Sequence, residues 1–337
     1  MPAEAYTIAM PLSLTTGEGD GGRRLDRVLR KALPDMPLSA IHRLLRQGHV
    51  LVNGEAAFAD FRIQPGQVIT LSDMASVPLK APNAKARRRE DPGLEILFEG
   101  EGLIFLNKPA GLQVHGRHSL EELVRSYLVP KLPPSLSFKP GPLHRLDRPT
   151  SGVIAFSSGI NGARFFSALL RERKIKKQYI AIVEGVIEKA ETWQEELVRD
   201  SRRKKTFTPD SVKAEAQFRA AKTAITRVTP LMKSKRATLI LAEIETGITH
   251  QIRAQAASRG HPLLGDIKYG GGSPQGGPAA AGHGGAFLLH AWRMEFPENA
   301  RDCFPALPLL IEAPLPENFQ GKILKLFGQN FSDGRNS

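Results

Sequence analysis

The chain has 337 residues, 41% of them apolar, enough to bury a core and to form one large domain with a smaller companion. Lysine and arginine outnumber aspartate and glutamate by 47 to 34, and the resulting net charge of +13 favours polyanionic partners. Apolar runs stay far short of a membrane span, the single cysteine, Cys303, offers neither an internal disulfide nor a thiolate zinc site, and the opening "MPAEAYTIAMPLSLT" has neither a signal-like apolar stretch nor transit-type arginines. These features predict a cytoplasmic protein, a monomer without membrane contact or structural zinc.

In chain order, residues 1–18 show no clear periodicity and are expected to form a tail. From residue 23 the pattern changes: Leu25, Val28, Leu29 and Ala32 recur at helical spacing until Pro34 stops the turn. Ser39 is read as the N-cap of a second helix, "AIHRLLRQG", whose apolar stripe is Ile41, Leu44 and Leu45 and whose stop is Gly48. "HVLVNGEAAF" then places two β-prone runs around Asn53-Gly54, a strong hairpin signal, and "FRIQPGQVITL" adds a turn and a strand. Basic residues cluster in "RRLDRVLRK", "KAPNAKARRRE", "RERKIKK" and "RDSRRKK", and several separate patches suit an extended nucleic-acid backbone.

Residues 23–73, with "RLDRVL", "SAIHRLLRQGHVLVNG" and a closing "PGQVITL", resemble the ribosomal S-four-type RNA-binding module. The resemblance implies that exposed basic residues of the two helices, Arg27, Arg43 and Arg46, face RNA phosphates. The module is assigned to 19–78. Residues 79–94, including "LKAPNAKARRREDPG", are rich in charge, proline and alanine and read as a linker.

From residue 95 short β-like runs dominate: "LEILFEGEGLIFLNKPAG", "GVIAFSS", "YIAIVEGV", "AITRVTPL" and "ATLILAEIETG", with helices such as "RFFSALLRERK" between some of them. Strand and helix do not alternate regularly. The expected fold class is therefore α+β: a larger domain over 95–330 with a mixed, largely antiparallel sheet, beside a small N-terminal α/β module. The stretch "GGGSPQGGPAAAGHGGA" over 270–286 reads as a loop that cannot pack a core.

The tetrapeptide "RLDR" occurs twice, and context separates the copies. Asp26 lies inside the regular amphipathic pattern of the first helix, which predicts an ion-paired surface acid. Asp147 is followed two residues later by Pro149, then by "TSG" and the run "VIAF", which puts it on irregular backbone at the mouth of a sheet, where reactive side chains concentrate.

"HRLDRPTSG" resembles the signature of the RluA-type pseudouridine synthases, and further segments follow in the family's order: "NKPAGLQVHG" before it, then "KKQYIAIVEG", "ETGITHQIRAQAASRGHPLLGDIKYG", "LLHAWRMEFP" and "EAPLPENF". The resemblance spans about residues 95–320 and implies the pseudouridine synthase fold. It implies conversion of uridine to pseudouridine by breaking the bond from C1′ to N1 and rejoining the base through C5, with no cofactor. The absence of P-loop, dinucleotide-binding and zinc-protease motifs agrees.

By the same resemblance Asp147 is the catalytic carboxylate, either adding to C1′ or taking the C2′ proton. Arg253 is its pairing cation, offsetting the penalty of burying a charge, and Tyr179 is the active-site aromatic that stacks on the extruded uracil and shares in proton transfer. Arg145 assists base flipping, Lys108 touches phosphate, and His144, Thr150, Ser151 and Gly152 shape the loop around Asp147. Ile248 replaces an arginine usual in the family, so an RNA or loop contact is expected to be missing there. The module points to large-subunit ribosomal RNA as partner, with transfer RNA the alternative. Two rivals stay open: a glycoside hydrolase, which needs a second carboxylate across the bond, and a non-catalytic RNA-binding protein.

Overall fold

The computed structural model describes residues 11–72, 93–200, 204–209, 220–272 and 287–332. The linker expected over 79–94 lies outside them except for its last two residues, as does most of the glycine-rich stretch. The chain divides into two compact units. One holds residues 1–92 together with 124–140 and 158–160, and the other holds the rest.

In the first unit, helices α1 (Leu25–Ala32) and α2 (Leu38–Arg46) form where the apolar stripes predict them. Leu25, Val28, Leu29, Ile41, Leu44 and Leu45 all enter one core. Burying side chains of this size stabilises by about 1.5–3 kcal/mol each. Ser39 is not the N-cap: α2 begins at Leu38 behind Pro37, whose extended backbone occupies the cap position. Gly48, at φ +74°, takes the left-handed conformation just beyond α2. Strands β2 (Val50–Val52) and β3 (Glu55–Ala56) close over Asn53 and Gly54, both at positive φ, as a two-residue hairpin requires.

Two expectations for this unit are corrected. The tail assigned to 1–18 contains strand β1 (Leu12–Thr15), which pairs antiparallel with β4 (Val68–Leu71) at the edge of a sheet ordered β1-β4-β2-β3. The alternation of Leu12, Ser13, Leu14 and Thr15 sits at the short limit of a strand signal. The catalytic-domain span 95–330 also includes residues 124–140, which fold with the N-terminal unit. Asp20, fully buried, accounts for this: its carboxylate accepts from the Gly17, Leu136 and Ser137 amides and from the Ser135 and Ser137 hydroxyls. Burial raises its pKa, but those hydrogen bonds outweigh the penalty and hold it below the usual carboxylate range.

The second unit is built on a large mixed sheet. Its strands are β5 (Ile96–Gly100), β6 (Leu103–Lys108), β7 (Gly141–Pro142), β8 (Ser151–Ser157), β9 (Lys176–Glu184), β10 (Glu191–Asp200), β11 (Lys205–Phe207), β12 (Lys222–Lys233), β13 (Ala237–Ile244), β14 (Leu289–Glu295) and β15 (Leu310–Glu312). The main order is β11-β10-β12-β13-β9-β14-β8-β6-β5, with β15 on β14 and β7 on β8. Among the described residues only β14 with β8 is parallel, so the sheet is mixed and largely antiparallel, as expected. Helix α3 (Leu120–Leu128) begins in this unit and its residues from 124 on belong to the other, and helix α4 (Ile160–Arg171) is short. Phe166 of α4 packs with Phe105 and Phe296, whose rings meet edge to face at 5.7 Å. Helix α5 (Gln251–Ser258) is buried through most of its length, and α6 (Glu317–Phe327) adds Phe319 and Ile323 to a cluster with Ile180, Leu239 and Trp292. None of these helices is long and apolar enough to cross a membrane.

Candidate active site

The parallel pair fixes where Asp147 stands. Gly152 of β8 lies opposite Ala291 of β14 at φ +107°, and a Cβ there would sit 2.1 Å from the Ala291 carbonyl oxygen. Only glycine permits that approach. Beside it the Ser151 hydroxyl bonds His290 Nδ1 at 2.8 Å, and His290 Nε2 donates to the Ala313 carbonyl. The chain enters β8 through a turn closed by Thr150 N–H on the Asp147 carbonyl, so Asp147 stands on irregular backbone, as its context predicts.

A second loop clamps this turn. Gly111 N–H donates to the Arg148 carbonyl, and Arg148 Nε donates to the Gly111 carbonyl at 2.8 Å. Lys108 lies beneath, fully buried, with its ammonium on the carbonyls of Pro109, Leu112 and Arg148 at 2.8, 2.7 and 3.1 Å. Burial pulls its pKa down to about 8 against the opposing pull of Asp147. The expectation that Lys108 touches phosphate is therefore corrected: all of its side chain is spent inside the protein. His144 accepts the Ala155 amide on Nε2 and stacks against Phe166, which orders the segment leading to Asp147. Thr150 is buried, and among the described residues its hydroxyl has no hydrogen-bond partner.

Arg253, in the first turn of α5, donates from one terminal nitrogen, Nη1, to Asp147 Oδ2 at 2.9 Å. Its Nε and other terminal nitrogen, Nη2, grip Asp266 at 2.6 and 2.8 Å, and its guanidinium lies over the rings of Phe287 and Tyr269. Asp266 is 1% exposed and lines neither of the cavities at Asp147. It fixes the guanidinium rather than facing a ligand. A second carboxylate is thus present on the far side of Arg253, and Glu245, on the wall of the Asp147 cavity, is paired with Arg227 at 2.7 Å, so neither stands as a free partner acid to Asp147.

His250 begins α5 in the left-handed conformation, at φ +60°. Its Nε2 is 3.7 Å from Asp147 Oδ1, and its Nδ1 meets the Tyr269 hydroxyl at 2.9 Å. That hydroxyl already accepts the Thr206 amide, so its own proton goes to Nδ1, and the imidazole N–H is left facing Asp147. Burial pushes the His250 pKa down to about 4, with Arg253, Arg199 and Lys268 adding to the effect, so the ring is neutral at pH 7.

Tyr179 of β9 is buried, and burial followed by the Asp147 charge raises its pKa well above the ordinary phenol value, so the hydroxyl keeps its proton. Asp147, Tyr179, Arg145, His144, His250 and Arg253 share a cavity of about 710 Å³. A second cavity of about 1230 Å³ meets it at Asp147, Arg145, His250 and Arg253, and adds Lys204 and Lys268. Arg145 is exposed on this wall, whereas Ile248 packs towards Leu197, Ala254 and Tyr269 and fills its space with apolar contact. Asp26 forms a bidentate pair with Arg24, as expected, while Arg27, Arg43 and Arg46 are exposed on the other unit.

A family model described as RNA pseudouridylate synthase matches residues 102–258, and an S4 domain model matches 23–69. A Vibrio vulnificus protein named ribosomal large subunit pseudouridine synthase C is 30% identical over 92% of this chain and 94% of its own length. The chain belongs to the RNA pseudouridylate synthase family. A Nitrosomonas europaea relative named ribosomal large subunit pseudouridine synthase D is 32% identical to the synthase over 91% of this chain and 85% of its own. The solved human RNA pseudouridylate synthase domain containing 4 shares its fold, with a TM-score of 0.54 at 23% identity over 69% of this chain and 92% of the other. The synthase is an RNA-modifying enzyme with an N-terminal S4 domain.

Sequence reasoning missed Asp266, His250 and Tyr269 as parts of the site. All three lie within the quoted segment "THQIRAQAASRGHPLLGDIKYG", but nothing in their spacing reveals that the chain folds back to place Asp266 behind Arg253.

Proposed function

We propose that the synthase isomerises uridines of large-subunit ribosomal RNA in the cytoplasm, with the Asp147 carboxylate acting on the sugar of a uridine extruded from the RNA. The observation that carries this reading is the Asp147–Arg253–Asp266 chain at the junction of two cavities. Arg253 is held from behind by Asp266, so one terminal nitrogen stays aimed at Asp147 and favours its ionised form. One oxygen of Asp147 is occupied by Arg253, and the other faces the cavity beside His250. That oxygen can add to C1′ or take the proton from C2′; both routes leave the uracil free to turn and rejoin through C5.

The Tyr179 ring forms a wall against which the uracil stacks, and its protonated hydroxyl is suited to share in moving the proton from C5. Arg145, exposed beside Asp147, is suited to the space vacated by the base. His144, Thr150, Ser151 and Gly152 serve the backbone that presents Asp147. Arg27, Arg43 and Arg46 face RNA phosphate from the S4 domain.

The names of the relatives and the S4 domain support ribosomal over transfer RNA. The test is to map pseudouridines in both RNA classes from cells with and without the gene, and to restore the lost positions with purified enzyme. Loss confined to large-subunit RNA is the expected result. Loss confined to transfer RNA would transfer the assignment to that substrate.

A further inference from the structure

Lys177 precedes Tyr179 by two residues on β9, so the two side chains share one face of the sheet. In the sheet Lys177 stands between Ile244 of β13 and Met294 of β14, and it is 8% exposed. Its ammonium borders the Asp147 cavity, with the Cβ position of Gly247, also on the cavity wall, 3.9 Å from Nζ. Among the described residues it meets no carboxylate and no hydrogen-bond acceptor. The contrast with Lys108 is direct, since that fully buried ammonium has three carbonyls.

Such a group is costly. Burial alone pulls its pKa down to about 8, with no acidic neighbour acting against it. The Asp147 charge is committed to Arg253 and does not serve Lys177. Arg171, Arg173 and Lys222 line the same cavity, so the surroundings add positive charge rather than balance it. Glu245 lines it too, but its carboxylate is paired with Arg227 at 2.7 Å. A buried cation on a cavity wall, without an internal counter-ion, is matched by an anion that arrives with the ligand.

We propose that Lys177 positions the extruded nucleotide by pairing with a non-bridging oxygen of a phosphate flanking the reacting uridine. The proposal rests on the reading that this cavity receives a uridine. Phosphate is the anionic part of the substrate, and Lys177 shares its strand face with Tyr179, so a nucleotide whose base stacks on Tyr179 would bring its flanking phosphate along that face. Lys177 is on this account a positioning and substrate-selecting residue: free uridine, lacking the phosphate, would leave the ammonium unpaired.

The test combines protein variants with RNA substrates in which a single methylphosphonate replaces the phosphate on the 5′ or the 3′ side of the target uridine. Wild type, Lys177→Met and Lys177→Arg are compared under single-turnover conditions. At one of the two positions the neutral linkage is expected to weaken wild-type kcat/KM by about 10- to 100-fold, the worth of a hydrogen bond to a charged group. Lys177→Met should lose as much on unmodified RNA and lose little more on that methylphosphonate RNA, while Lys177→Arg recovers most of the activity.

Independent losses that multiply at both positions would overturn the phosphate pairing, as would Lys177→Met at wild-type kcat/KM. Lys177→Met should melt no lower than wild type, because methionine fills the space without an unpaired charge; a marked drop in melting temperature would show a structural role instead and overturn the proposal. Failure of wild type to make pseudouridine in the unmodified RNA would instead count against the functional reading itself.

Discussion

At the scale of single residues, buried charged groups hold the Asp147 turn in place. Lys108 shows how burial reverses a reading: in sequence it is one more cation in a basic chain, yet its three carbonyl partners tie β6 to the Asp147 turn. Lys108→Met is expected to cost about 1.5–3 kcal/mol, because the carbonyls lose a charged donor and stay buried. It should lower kcat by shifting Asp147 while leaving RNA affinity near wild type, measured by denaturant melts and by separate kcat and binding determinations. Lost RNA affinity with kcat intact would mean that Lys108 reaches the RNA after all. The Asp147–Arg253 pair was legible because both residues fall in quoted segments. Asp266 was not, because a bidentate grip between residues thirteen apart across a loop leaves no periodic trace.

Among the elements, those governed by local rules were readable and those governed by distant contacts were not. The stripes of α1 and α2 and the Asn53-Gly54 hairpin follow from spacing alone. Strand β1 and the capture of residues 124–140 by Asp20 required a partner more than fifty residues away. Ser39 misled because Pro37, two residues earlier, already sets the extended backbone from which the helix starts. Two glycines separate conformational need from steric need. Gly54 has φ +89° with no heavy atom near its would-be Cβ, so Gly54→Ala should cost about 1 kcal/mol. Gly152 combines φ +107° with the Ala291 carbonyl at 2.1 Å, and Gly152→Ala should cost about 2–5 kcal/mol and displace the Asp147 turn. Equal melting temperatures for the two variants would show that the β8–β14 contact is not as tight as described.

For the whole molecule, charge and buried histidines set the dependence on salt and pH. Neutralising Arg27, Arg43 and Arg46 together should flatten the log-log salt slope of RNA binding by up to about 2 to 3, at about 0.7–0.9 per phosphate contact. All three are exposed, so folding should be unaffected, and an unchanged slope would remove the S4 helices from the RNA interface. Burial depresses the pKa values of His250 and His290 to about 4 and that of His144 to about 3, below the ordinary value of 6.5. Between those values and 6.5 the unfolded chain binds more protons than the folded one, so stability rises with pH across that window and is lost as pH falls through it. The melting temperature should therefore decline from pH 6.5 towards pH 4 and change little from these groups above pH 7. A flat profile between pH 7 and pH 4.5 would contradict the neutral, buried state of these rings.

The two copies of "RLDR" allow the central claim to be tested within one protein. Asp26→Asn and Asp147→Asn are compared for pseudouridine formation and for RNA binding, both in the full-length chain. Asparagine keeps the shape of either side chain but carries no negative charge and takes no proton. Asp147→Asn should abolish product formation while RNA is still bound, and Asp26→Asn, which weakens a partly buried pair with Arg24 on the S4 unit, should retain wild-type turnover. Conversion of uridine by purified Asp147→Asn enzyme at a rate comparable to wild type would contradict the account.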